Sequence, residues 1–134
     1  MEKILTLYCD GASRGNPGPA AFGYVLLEGE ALVSEMGKRL GTATNNTAEY
    51  EGLIQGLQAA LDKGATQIIV KSDSELMVRQ LNGIYKVRTP HIFELFQRAS
   101  KLIRLFKKIE ILHIRREENT RADALCNLAL DQTY

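Results

Sequence analysis

The chain has 134 residues, which suits one compact domain around a single core. Hydrophobic residues make up 45% and charged residues 25%, the balance of a soluble globular protein and not of a disordered or membrane-embedded one. A formal charge of +1 gives no global field for a polyanion, so any nucleic-acid surface must come from uneven placement of charge.

Ile4–Cys9 reads as a first strand stopped by Asp10-Gly11, followed by a turn-rich segment from Ala12 to Pro19. Ala21–Glu28 and Leu32–Leu40 read as two further strands around a hairpin turn at Gly29-Glu30. The period then changes. Asn46 or Thr47 is positioned to cap a helix in which Tyr50, Leu53, Ile54, Leu57 and Leu61 recur at helical spacing, and Gly64 closes it. Gln67–Lys71 is a short apolar run and reads as a buried strand. Ser72 or Asp73 then opens a short helix through Leu76, Met77, Gln80 and Leu81 to Asn82-Gly83. A longer helix starts near Pro90, a good first-turn residue, with Phe93, Phe96, Ala99, Leu102, Ile103 and Phe106 as its apolar side. Ile109–Ile114 reads as the fifth strand, and Asn119 or Thr120 starts a last helix carrying Ala122, Leu125, Cys126 and Ala129.

This order predicts an α/β domain. The early strands, joined by short loops, should be antiparallel, and the later ones, separated by helices, parallel. The result is a mixed five-stranded sheet flanked by helices, with no repeat, linker or low-complexity segment. Cys9 and Cys126 lie in apolar patterns without a C-x-x-C pair, so they read as buried hydrophobes in a reducing compartment. No apolar run approaches membrane-spanning length, and Met1–Cys9 is too short and too patterned for a signal sequence; a cytoplasmic protein is expected. A local basic bias from Lys101 to Arg121 reads as a solvated helix face and a loop.

Three acids share a context. Asp10 ends the first strand, Asp73 follows the fourth, and Asp123 starts the last helix after the fifth. Where such strands run side by side, their carboxyl ends form the edge at which α/β sheets place ligands. Glu49, one turn into the first helix, can face the same edge. Singly, each acid is a routine turn, cap or first-turn residue. Together they would repel one another unless a cation lay between them, and hard oxygen donors suit Mg²⁺ or Mn²⁺ better than zinc. Two such ions about 4 Å apart are a known device for in-line phosphodiester hydrolysis.

The segment Asp10-Gly11-Ala12-Ser13-Arg14-Gly15-Asn16-Pro17-Gly18-Pro19-Ala20-Ala21-Phe22-Gly23 resembles the first motif of type 1 ribonuclease H. Thr44-Asn45-Asn46-Thr47-Ala48-Glu49 resembles the second, Ser72-Asp73-Ser74 the third, and Glu118-Asn119-Thr120-Arg121-Ala122-Asp123 the fourth. The motifs fall in family order, and the resemblance covers essentially residues 1–134 as a single ribonuclease H domain. It implies the ribonuclease H-like fold and hydrolysis of the RNA strand of RNA–DNA hybrids, with 5′-phosphate and 3′-hydroxyl products. It also implies two Mg²⁺ ions, with Mn²⁺ as substitute. Asp10 would bridge both ions, Asp123 would hold the one that activates water, and Glu49 and Asp73 would serve the other, Glu49 also lying near a ribose 2′-hydroxyl. The resemblance further assigns Asn16, Asn45 and Asn46 to minor-groove contacts and Thr44 to a DNA-strand phosphate. The glycines Gly11, Gly15 and Gly18 are expected to let backbone approach the nucleic acid.

The chain departs from the family in two places. Many relatives carry a mobile histidine before the last motif; here His113 falls in the apolar run Ile111-Leu112-His113-Ile114, and the loop offers Arg115 or Arg116 for phosphate charge instead. Some relatives insert a basic, aromatic protrusion before the long helix; here Gly83–Pro90 is short, leaving Lys86, Arg88 and the basic stretch to grip a hybrid. The alternatives are a related nuclease that also cuts double-stranded RNA and a catalytically silent hybrid-binding module. Four intact acids argue against the silent module. A monomer is expected, since nothing in the sequence signals an interface.

Overall fold

Leu5, Leu7 and Cys9 alternate with more exposed neighbours, and their burial on one face makes Ile4–Ser13 a strand, β1. In the computed structural model, which describes residues 2–132, β1 is the centre of a five-stranded sheet of order β3-β2-β1-β4-β5. Residues 1, 133 and 134 of the expected 1–134 domain lie outside the described residues. Strands β2 (Gly18–Glu28) and β3 (Ala31–Ala43) add antiparallel, each to the strand before it. Strands β4 (Gln67–Ser72) and β5 (Lys108–His113) add parallel on the other side of β1. The mixed sheet and the order of elements are as the sequence predicts.

Several boundaries are not. β1 runs through Asp10-Gly11 to Ser13 because β2 pairs with it over that whole stretch, from Thr6↔Leu27 to Ser13↔Ala20. Ladder pairing here outweighs the turn preference of Asp-Gly, so Asp10 lies within a strand and not at its end. Helix α1 (Asn45–Asp62) is capped by Thr44, whose hydroxyl accepts from the Thr47 amide at 3.2 Å; Asn46 and Thr47 are already helical. Helix α2 (Glu75–Leu81) is capped by Ser74, which accepts from the Met77 amide at 3.3 Å, while Ser72 completes β4. In α3 (Pro90–Ile103) the buried line is Ile92, Leu95 and Ala99, and Phe93 is turned to solvent at 45% exposed. The aromatic spacing misleads there, because Phe96, Leu102 and Ile103 only flank that line. Leu76 of α2 is likewise exposed, and Val78 is buried in its place.

Helix α1 lies on β1 and β2 with α3 against it, enclosing the main core of Leu5, Leu7, Phe22, Leu53, Leu57 and Val70. Helix α4 (Thr120–Asp131) packs on β2 and β3 over a second, smaller core of Ala21, Cys126, Ala129 and Leu130. Cys9 and Cys126 are buried, unpaired and in separate cores. Among the described residues no helix is long and apolar enough to cross a membrane.

The seat of α4 depends on a missing side chain. A Cβ at Gly23 in β2 would lie 2.4 Å from the Ala122 carbonyl oxygen and 2.9 Å from the Cys126 nitrogen, both backbone atoms that cannot swing away. Gly23→Ala should therefore destabilise the fold by about 1–3 kcal/mol, the usual range for overpacking. A lowered urea midpoint would register it; an unchanged midpoint would show that α4 is not held at this contact.

Candidate active site

The parallel ladder between β1 and β4 ends at the pair Cys9↔Ser72. Asp10 is the next residue of β1 and Asp73 the first beyond the end of β4, so the topology itself sets them side by side. On the far side of β4 the ladder to β5 closes at Ser72↔His113, and the Ile114 amide donates to the Ser72 carbonyl at 2.9 Å.

Glu49 arrives through a close approach of α1. A Cβ at Gly11 would lie 2.2 Å from the Ala48 carbonyl carbon and 2.4 Å from the Glu49 nitrogen. Glycine is thus required for the first turns of α1 to touch β1 beside Asp10. This revises the expected use of Gly11: it admits the helix that carries Glu49. Asp123 sits in the first turn of α4, its amide donating to the Asn119 carbonyl at 3.1 Å. A carboxylate is favoured there by the helix dipole.

Asp10, Glu49, Asp73 and Asp123 line one open cavity of about 380 Å³, together with Asn45 and Arg116. Burial pushes the Asp10 carboxyl up to about 8, reinforced by the charge of Asp73 and by hydrogen-bonding contact with Asp123. Burial also pushes Glu49 up to about 7; the charge of Asp73 adds to this, and a hydrogen bond from Ser74 opposes it. The Cys9 thiol, raised first by burial and then by Asp10, Glu49 and Asp73, is held as an inert thiol.

Such a cluster is costly as bare anions and suits a divalent cation. Among the described residues, no three acidic, histidine or cysteine side chains close into a ready-made ion cage. The donors instead surround an open cavity with hard oxygens. That fits Mg²⁺, which keeps several waters and takes one or two carboxylates alongside substrate phosphates.

The other expected residues separate. Asn45 lines the cavity, and its Oδ1 accepts from the Ser13 amide at 2.8 Å and the Ser13 hydroxyl at 3.0 Å. The Asn45 amide donates to Asn16 Oδ1 at 3.0 Å, which ties the Gly15-Asn16 turn to the start of α1. Thr44 is engaged as the α1 cap. Asn46 faces a neighbouring cavity of about 620 Å³ lined also by Gln80, Tyr85, Lys86, Arg88 and Thr89. Of the two loop arginines, Arg116 reaches the carboxylate cavity, whereas Arg115 pairs with Glu118 at 3.5 Å and Glu117 at 3.7 Å. His113 is the last residue of β5, as its apolar context predicts, and does not line the cavity. Two residues escaped sequence reasoning as site residues: Ser74, which bonds Glu49, and Asn119, buried beside Asp73. Both read in sequence as ordinary residues at helix starts.

Residues 8–129 match the reverse transcriptase-like family. The crystal structure of RNase H1 from the halophilic archaeon Halobacterium salinarum aligns at a TM-score of 0.94 and 46% identity, over 97% of this chain and 99% of that one. LC11-RNase H1, solved in complex with an RNA/DNA hybrid, aligns at 0.90 and 39% identity over 95% and 96%. In sequence, ribonuclease HI of H. salinarum is 48% identical over 125 residues, 92% of this chain and 63% of the relative. A bifunctional protein of Mycobacterium tuberculosis is 42% identical over 129 residues, 95% of this chain and 35% of the relative. The chain thus spans less than two thirds of the length of these curated relatives. It belongs to the type 1 ribonuclease H family.

The raised carboxyls make stability depend on pH. Asp10 ionises near pH 4 when unfolded and near 8 when folded, so its favourable contribution is complete below about pH 4 and is lost as the pH rises through about 8. Glu49 acts in the same direction, up to about pH 7. In EDTA the melting temperature should fall from about pH 5 to about pH 8. Asp10→Asn should flatten that fall and melt higher than the parent at the alkaline end, and Mg²⁺ should narrow the difference. Parallel melting curves for the two proteins across this range would contradict the assignment.

Proposed function

We propose that the protein is an endonuclease that hydrolyses the RNA strand of RNA–DNA hybrids with two divalent ions, Mg²⁺ or in its place Mn²⁺, leaving 5′-phosphate and 3′-hydroxyl ends. The observation that carries this reading is the convergence of Asp10, Glu49, Asp73 and Asp123 on one open cavity. The RNA/DNA hybrid held by LC11-RNase H1, a neighbour similar over nearly the whole chain, supports the substrate class. Bound ions supply activation of the attacking water and stabilisation of the leaving oxygen.

The acids divide into two overlapping sets. Asp10 interacts with both Asp73 and Asp123, whereas Glu49 interacts with Asp73. By the family resemblance, Asp10 would be shared between the two ions, Asp123 would help hold the one that activates water, and Glu49 and Asp73 would serve the other. Glu49 is the acid assigned to the ribose 2′-hydroxyl, the group that separates RNA from DNA. Asn16 and Asn45, coupled through the Asn45 amide, present one surface to the minor groove beside the acids. Thr44, at the cap of α1, is the residue the family resemblance assigns to a phosphate of the DNA strand. Asn46 belongs with Lys86 and Arg88 in the adjoining cavity, where positive charge can follow the backbone away from the cut. Arg116 offers a guanidinium to phosphate charge at the acids, and Arg115 holds the loop that carries it.

The direct assay uses labelled RNA–DNA hybrid, double-stranded RNA and double-stranded DNA in Mg²⁺, Mn²⁺ or EDTA. Cleavage should be confined to the RNA of the hybrid and require the metal. Asp10→Asn and Asp73→Asn should abolish it while hybrid binding in a mobility-shift experiment persists. Comparable cleavage of double-stranded RNA would favour the broader nuclease, and undiminished activity in either variant would end the two-ion reading. For the loop, Arg116→Ala should lower kcat by roughly 10–100-fold, as loss of a charge-assisted hydrogen bond implies, and Arg115→Ala by clearly less. The reverse ranking would move the phosphate contact to Arg115.

A further inference from the structure

We infer that Asn119 is a positioning residue whose side chain ties the Asp73 carboxylate to the β1 backbone that leads into Asp10, and thereby sets how tightly the site holds a divalent ion. The inference rests on reading the site as a divalent-ion centre.

Asn119 is only 1% exposed, one of the few polar side chains buried to that degree. It stands at the N-terminus of α4, where its sequence context predicts a helix cap, yet its side chain makes no capping hydrogen bond. It turns into the sheet instead. Its Nδ2 donates to the Cys9 carbonyl at 2.9 Å and lies 3.5 Å from Asp73 Oδ1. Its main-chain carbonyl accepts from the Asp123 amide at 3.1 Å. One residue therefore touches the peptide that leads into Asp10, the carboxylate of Asp73 and the backbone of Asp123.

The place it fills is created by the topology. β4 leaves the sheet after Ser72, and the Ser74 amide turns back onto Ser72 Oγ at 3.1 Å. The ladder thus stops at Cys9↔Ser72, and the amide of Asn119 occupies the end of it. The orientation is fixed by charge: a flipped amide would set Oδ1 against a carbonyl and a carboxylate oxygen.

That orientation leaves Asn119 Oδ1 buried without a hydrogen-bond partner among the described residues. An unsatisfied buried acceptor costs about 1–3 kcal/mol, and native proteins carry few of them. A residue selected only to fill this space would avoid the penalty with an apolar side chain. The tolerated cost points to the donor half of the amide, which pulls Asp73 toward β1 and holds it against repulsion by Asp10. Partners of metal ligands typically contribute 10–100-fold in metal affinity or activity.

The test is Mn²⁺ titration by calorimetry on the nucleic-acid-free protein, with steady-state cleavage of hybrid in parallel. Asn119→Ala should weaken Mn²⁺ binding by about tenfold or more. It should lower kcat at limiting ion, recover part of that loss at excess ion, and leave KM for the hybrid within about twofold, since it removes no substrate contact. Leu95→Ala, which opens a cavity at a buried α3 residue outside the lining of the acid cavity, should lower the melting temperature and leave Mn²⁺ affinity at the parent value; that arm separates positioning from mere loss of stability. Should Asn119→Ala fail to fold, Asn119→Ser, whose hydroxyl is too short to reach Cys9 and Asp73, is measured in its place with the same expectation. Parent-like Mn²⁺ affinity in the folded variant would overturn the inference alone. Absence of Mn²⁺ binding by the parent chain would overturn both the inference and the divalent-ion reading of the site.

Discussion

The site depends first on backbone contacts that admit no side chain. Asp10 and Asp73 come together through the sheet, but Glu49 and Asp123 belong to helices on opposite faces of it. A helix packed on a sheet through ordinary side chains would hold its first turn too far away. At Gly11 and Gly23 the helix backbone comes within 2.4 Å of where a Cβ would lie, so α1 and α4 pinch the same edge from both faces. Bulk is removed at the sheet so that acids can meet at its margin.

Meeting there has an electrostatic cost, visible in the upward displacement of Asp10 and Glu49 by burial and by neighbouring charge. The fold offsets part of it with neutral side-chain donors: Ser74 to Glu49, Asn119 to Asp73 at 3.5 Å, Asn127 to Asp123 at 3.3 Å. None of these neutralises a full charge. The donors bonded to the acids are neutral, and among the described residues Arg116 is the one cation in the cavity lining, so the cluster keeps a deficit that a divalent ion would remove, coupling stability and pH in one small region.

Much of this was legible in the residues. Period changes gave the order of elements and the mixed sheet, because alternation and helical spacing each reflect a buried face. What was lost followed from information held by distant parts of the chain. Asp10-Gly11 reads as a turn until β2 is known to pair alongside it. Phe93 reads as core until the line Ile92, Leu95, Ala99 is seen to face α1. The four acids stood out by their shared context and by the family motifs, since each alone is a common turn or cap residue. Asn119 stayed hidden for the same reason: an asparagine before a helix is so ordinary a cap that only its coordinates reveal a side chain pointing the other way.

The family's loop histidine and basic protrusion have no counterparts at the expected places, and the structure suggests how charge is redistributed. The chain is nearly neutral, so cations matter by position. Arg115 is engaged with Glu117 and Glu118, and Arg121 with Glu35 at 3.0 Å, so these two cations of the basic stretch are already paired. Arg116 faces the acids, while Lys86 and Arg88 line the adjoining cavity beside Asn46. On the proposed function, a phosphodiester backbone laid across both cavities would meet positive charge beside the acids and again along the flank, separated by the Asn45 edge. Recognition arranged in this way reads backbone spacing and groove shape, and it needs neither a large net charge nor contact with particular bases.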